Sequence, residues 1–250
     1  MTVAGRDGAR YGALVVDVPY GSLRGLLLDL GNTLIGMDAE LVARALSDEG
    51  VACTPERFRR AEAAARPALS AWIAAAPPGT PAGLVYVREI LTRLEVPPVD
   101  RVAVAPRVLA RMRSVPTERL WSEVLPGVPG ALERLRDAGL RLVIVSNSDG
   151  TAEAGLVASG LRDRVDAVVD SFVFGAEKPD RRIFEHALGL ADLATSSVAH
   201  VGDLFAADVL GARAAGLHAV LLDPFGDWPD MGCATAPDLT SIAARVAGSA

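Results

Sequence analysis

From Pro126-Gly127 onward, short apolar runs and amphipathic stretches take turns along the chain, and this alternation constrains the fold more than any other feature. Residues 130–138 read as helix, stopped by Gly139, and 140–145 read as strand. Helices follow at 151–159, 179–188 and 205–215, strands at 165–169, 198–201 and 219–222, and a last helix near 239–246. Runs this short and this uniformly apolar suit strands buried on both faces. Strand–helix–strand crossovers of this length dictate a parallel sheet with helices on either side. One further run of the same kind, 23–30, stands ahead of them. The fold class expected is therefore α/β, a Rossmann-like parallel sheet covered by helices on both faces.

Between that first strand and the rest, the pattern changes. Residues 38–122 carry Ala, Leu, Arg and Glu at helical spacing, punctuated at Pro77-Pro78, Pro97-Pro98 and Pro116. The spacing predicts four helices near 38–49, 55–75, 82–95 and 99–114. Residues 1–37 and 123–250 thus form a core, with 1–22 as an N-terminal extension holding a short strand at 14–18, and 38–122 form an inserted helical domain. Asp38 stands where a helix N-cap is wanted, and Trp72, Tyr86 and Arg88 read as packing residues of the insertion, the alternative being that they face a ligand, where aromatics could stack on a sugar or base.

Composition narrows the function. With 25 basic residues against 31 acidic ones the net charge is −6, which argues against nucleic-acid or anionic-membrane partners. Cys53 and Cys233 are too few for a disulfide framework or a thiolate zinc site. The apolar run 13–16 stops at Asp17, so neither a signal peptide nor a membrane span is expected, and the location expected is cytoplasmic. More telling is what is scarce. Lys178 is the one lysine among 25 basic residues, Asn32 and Asn147 are the only asparagines, and glutamine is absent. Lysine is a compact point charge and arginine a wide planar fork. A chain so biased toward arginine keeps a lysine where only an ammonium fits.

Ligands of doubly wound sheets bind beyond the carboxyl ends of the strands, near the switch in strand order. Those ends read Asp29-Leu30-Gly31-Asn32-Thr33, Ser146-Asn147, Lys178-Pro179 and Gly202-Asp203, with Asp208 five residues on. The three scarce residues all fall within this set. Taken singly, each piece is an ordinary turn or cap. Together they bring a hydroxyl, an ammonium and several carboxylates to one sheet edge, and hard oxygen ligands of this kind suit Mg²⁺. His200 reads as a satisfied histidine of a buried strand.

In this order the residues resemble the four motifs of the haloacid dehalogenase superfamily, hydrolases that are chiefly phosphatases, over about 23–224. The insertion is similar to that family's helical cap. The resemblance implies a Mg²⁺-dependent phosphohydrolase acting on a small phosphate ester through an aspartyl-phosphate, with homodimerisation left open. Asp29 would be the nucleophile. Thr33, Ser146, Asn147 and Lys178 would bind the phosphoryl group, and Lys178 would also hold the nucleophile's charge. Asp29, the backbone carbonyl of Gly31 and Asp203 would hold the metal, with Asp208 in support.

One position departs from the pattern. Phosphatases of this superfamily usually carry a second Asp, as general acid and base, where this chain has Gly31. Losing such a group typically costs roughly 10²–10⁴ in rate, less when the leaving group is a weak base. An anomeric sugar phosphate or another activated phosphate would fit that loss. The alternatives are an impaired member acting as a binding or regulatory protein and, against Gly202-Asp203, a metal-free haloacid dehalogenase. A receiver domain would not need the insertion.

Overall fold

The computed structural model describes residues 18–77 and 79–249, so the strand expected at 14–18 falls, apart from Val18, outside the described residues. The core strands are β1 (Gly25–Leu28), β4 (Arg141–Ser146), β5 (Ala167–Asp170), β6 (Val198–Gly202), β7 (His218–Leu222) and β8 (Ala234–Ala236), with a two-residue ribbon of β2 (Ile35–Gly36) and β3 (Glu123–Val124) apart from them. The main sheet is parallel throughout, in the order β5-β4-β1-β6-β7-β8. The chain builds outward from β1 through β4 to β5, then crosses back to lay β6, β7 and β8 on the other side. The switch in direction therefore lies at β1, where Leu28 stands between Ile144 and Val201. Asp29 is the next residue.

Both faces of the sheet are buried, which explains the uniformly apolar strands. Leu26, Leu28, Leu142, Ile144 and Val220 face α6 (Val128–Asp137), α7 (Ala152–Ala158) and α11 (Leu239–Gly248). Leu27, Val143, Val145 and Leu221 pack on the other side with Ile183 and Phe184 of α9 (Arg181–Ala191) and Ala212 of α10 (Gly211–Ala214). Full burial of each such side chain contributes about 1.5–3 kcal/mol relative to exposure. A short α8 (Ser171–Phe174) follows β5. The helix expected at 205–215 is split, with a π-helical turn at Phe205–Leu210 leading into α10.

The insertion consists of α1 (Ala39–Ser47), α2 (Pro55–Ala75), α3 (Gly83–Arg93), α4 (Pro98–Arg113) and a short α5 (Thr117–Leu120). Its own apolar core gathers Leu46, Phe58, Val87, Leu91, Val108 and Met112. Asp38 caps α1 by accepting from the Leu41 N–H at 3.0 Å. The chain enters and leaves the insertion over the antiparallel β2–β3 ribbon, with Ile35 opposite Val124. Two-residue strands carry no periodicity, and neither they nor β8 were visible in the apolar pattern. Among the described residues no helix is long and apolar enough to cross a membrane.

Candidate functional site

The carboxyl end of β1 runs straight into Asp29, whose N–H donates to the Val201 carbonyl of β6 at 2.9 Å. That bond carries the sheet one residue past the strand and holds the side chain at the sheet edge. From the loop before α9, the Lys178 ammonium donates to Asp29 Oδ1 at 2.5 Å and to Asp208 Oδ1 at 2.8 Å. Asp208 Oδ1 also lies 2.9 Å from His200 Nε2, and its Oδ2 accepts from the Leu204 N–H at 2.9 Å. Gly202 makes room for this carboxylate, since a Cβ there would stand 2.2–2.6 Å from its atoms. The lone lysine thus sits between two aspartates, with fractional exposures of 3% for Lys178, 8% for Asp29 and 1% for Asp208.

Asp203, 3% exposed, closes the acidic group: carboxylate oxygens of Asp29, Asp203 and Asp208 lie within 4.8 Å of one another. Burial raises the Asp29 carboxyl above its usual range, opposed by Lys178 and reinforced by Asp208. Burial likewise pushes Asp203 up to about 8, against the pull of the Arg66 guanidinium. Asp208 behaves differently. Burial would raise it, but Lys178 and His200 outweigh that and hold it well below the ordinary range. For Lys178 the penalty of burial is outweighed by Asp208 and Asp29, and its pKa rises. The protein alone therefore compensates the ionised form of Asp29 and Asp203 poorly, and ionising them calls for a further positive charge. A hard divalent cation fits a donor set of this kind.

The remaining sequence-derived residues take distinct places. Asn147 spends both ends of its amide on the backbone of Lys178, its Oδ1 accepting from the N–H at 2.7 Å and its Nδ2 donating to the carbonyl at 2.9 Å. Its side chain thus fixes the lysine. Ser146, the last residue of β4, is buried at the same edge. Thr33 Oγ1 is buried in the turn after Asp29 with no hydrogen-bond partner. Asn32, in the left-handed conformation at φ 55°, follows Gly31. A Cβ on Gly31 would stand 3.1 Å from Cζ3 of Trp121, whose indole fills the space.

Sequence reasoning missed a second polar group, contributed by the insertion. Arg66 of α2 donates from Nε to Glu62 Oε1 at 2.9 Å and from Nη2 to Oε2 at 2.5 Å, and its Nε reaches Asp203 Oδ2 at 3.3 Å. Tyr86 of α3 donates to Glu62 Oε1 at 2.5 Å. Asn32 Nδ2 lies 3.1 Å from Glu62 Oε1, 3.2 Å from the Tyr86 hydroxyl and 3.3 Å from Asp203 Oδ2. Further along α2, Ser70 Oγ accepts from the Ala206 N–H at 2.8 Å. Tyr86 is thus more than a packing residue. The available signal was the Glu62/Arg66 pair at i,i+4 among small residues, ordinary in so Arg-rich a chain.

Carboxylates and one ammonium converging at the carboxyl edge of a doubly wound parallel sheet define the class, an α/β fold with its polar ligand site at the switch in strand order. The sequence profile of haloacid dehalogenase-like hydrolases matches residues 23–216, and the chain belongs to that family. Haloacid dehalogenase-like hydrolase domain-containing protein 3 of Bos taurus is 40% identical over 123 residues, 49% of each chain, so the match spans about half the length of that relative. The phosphoserine phosphatase of Thermus thermophilus is 31% identical over 215 residues, 84% of each chain. In fold, the chain is similar to the magnesium-bound HAD-hydrolase YfnB of Bacillus subtilis, with a TM-score of 0.63 at 16% identity over 90% of this chain and 98% of that one.

Proposed function

We propose that the protein is a Mg²⁺-dependent phosphatase that hydrolyses a small phosphate ester through an aspartyl-phosphate on Asp29, beneath a helical cap formed by residues 38–122. The observation that carries this reading is the Lys178 ammonium held between Asp29 and Asp208, with Asp203 beside them. A carboxylate attacking a phosphate meets anion–anion repulsion, and a buried ammonium on the nucleophile's own oxygen relieves it. Relatives named as phosphatases support the same chemistry.

Asp29 attacks phosphorus, an Asp29 O–P bond forms, and the bond to the leaving oxygen breaks. Water then attacks the acyl phosphate, releasing phosphate and restoring the carboxylate. Lys178 neutralises charge in both steps, and Asn147 holds Lys178 in place through its backbone. Ser146 and Thr33 supply hydroxyls for the phosphoryl oxygens. Asp29, the Gly31 carbonyl and Asp203 would hold the Mg²⁺, which when bound neutralises charge on the phosphoryl group. Asp208, its oxygens already taken by Lys178, His200 and the Leu204 N–H, supports the site from behind. With an indole above Gly31 in place of an acid, the leaving group departs without protonation from that position. Anomeric and acyl phosphates fit best.

The test is phosphate release from a panel of alkyl, anomeric and acyl phosphates with Mg²⁺ and with EDTA, beside Asp29→Asn. Turnover that needs both Mg²⁺ and Asp29, and favours good leaving groups, is expected. Metal-independent turnover, or turnover surviving Asp29→Asn, would refute the reading. The Gly31–Trp121 contact favours one second reading, a binding protein without turnover. It predicts phosphate-ester binding but no release.

A further inference from the structure

Asp203 Oδ2 is claimed by two partners, Asn32 from the turn after β1 and Arg66 from α2 of the insertion. The Arg66 and Asp203 side chains are both buried, at 8% and 5% exposure, so the pair is shielded by little water. A guanidinium keeps its proton in any protein environment. A divalent ion seated on Asp203 would therefore face a fixed positive charge competing for the same carboxylate. Arg66 cannot step aside alone. Both ends of its guanidinium fork grip Glu62, and Glu62 is tied to Tyr86 of α3 and to Asn32. The same helix is anchored one turn further by Ser70 on the Ala206 N–H.

We infer that Arg66 is a fixed positive charge supplied by the insertion, which occupies Asp203 Oδ2 when the divalent cation is absent, so that cation binding and the docking of α2 on the core oppose each other. This rests on the cation-site reading above. A surface ion pair would carry no such consequence, because water would screen it and either side chain could swing free. Here the pair spans the two halves of the protein, and its carboxylate is a proposed cation ligand. Linkage makes the opposition reciprocal. Whatever weakens the Arg66 contact must tighten the cation, and the cation must loosen α2.

The experiment uses Mn²⁺ as the probe and the full chain without substrate. Calorimetric titration of wild type and Arg66→Met should show Mn²⁺ binding tightened about tenfold or more in the variant. The double variant Glu62→Gln/Arg66→Met, which leaves no unpaired buried carboxylate in α2, should behave alike and guards against misfolding of the single one. In the wild type, Mn²⁺ saturation should speed hydrogen exchange across Pro55–Ala75, where a bound ligand ordinarily slows it. Equal or weaker Mn²⁺ binding in the folded variants overturns the proposal, and so does exchange in α2 that slows or stays unchanged. Failure of wild type and variants alike to bind Mn²⁺ would remove the cation site itself, an outcome distinct from either of these.

Discussion

Gly31 and Trp121 are in contact: a Cβ added to Gly31 would lie 3.1, 3.4 and 3.6 Å from three atoms of the indole. Trp121 packs against both the sheet core and the core of the insertion, so its ring has little freedom to retreat. The absent acid and the indole are two aspects of one arrangement. Gly31→Asp alone is expected to destabilise the protein by about 1–3 kcal/mol, the usual cost of overfilling a packed contact, without improving turnover on alkyl phosphates. Combined with Trp121→Leu, the new carboxyl gains space, and turnover on poor leaving groups should rise up to about 10²-fold. Urea unfolding and kcat/KM across a leaving-group series check both parts. A rise from the single substitution would contradict the steric argument.

The core was legible because its strands are buried on both faces, so each appears as an unbroken apolar run, and because charged or amide side chains stand at the run ends. Lys178 stood out through composition alone. Of its partners only Asp29 was implied, through the family resemblance, since nothing in the order of residues says that the same ammonium also reaches Asp208 while Asn147 grips its backbone. Arg66 and Glu62 were hidden for a different reason. An acid and a base four apart on a helix usually face water, and only the docking of α2 over Asp203 turns this pair inward. The Trp121 contact depends on where the β2–β3 ribbon brings the chain back to the core, and two-residue strands leave no periodic trace.

Lys178 lies within hydrogen-bond reach of two buried carboxylates. Lys178→Met leaves both without their cation, and breaking a buried pair in this way typically costs about 3–5 kcal/mol. Activity should be lost as well. Lys178→Arg should not restore it, because a planar fork cannot replace a point charge in a space closed by Asp29, Asp208 and His200. Denaturant unfolding separates the two effects. An arginine variant with near-native turnover would show that the lone lysine is not required for its shape.

Asn147 acts on Lys178 through two hydrogen bonds to its backbone, at 2.7 and 2.9 Å. Asn147→Ala leaves that N–H and carbonyl unpaired, at about 1–3 kcal/mol for each buried group. The ammonium then loses its fixed position, and small misplacements of a catalytic group can cost about 10²-fold in rate. The expected signature is a fall in kcat larger than the rise in KM. Were KM to rise with kcat unchanged, Asn147 would instead be binding the substrate directly.

The pH dependence of stability should follow Asp203. Burial raises its carboxyl from 3.8 to about 8 in the folded protein, with Asp29 and Asp208 adding to the rise and Arg66 opposing it. A raised folded value means that the protonated form is the one the fold favours. Its contribution is therefore complete below about 3.8 and is lost as pH climbs through about 8, at no more than about 1.4 kcal/mol per pH unit for one proton. A divalent cation has the opposite preference, because it needs the carboxylate. In EDTA, Tm should decline from pH 6 to pH 8.5, and the gain in Tm on adding Mg²⁺ should widen over the same span. Asp203→Asn should remove both the decline and most of the gain. A Mg²⁺ gain that stays constant from pH 6 to pH 8.5 in the wild type would mean that Asp203 enters the cation site already ionised.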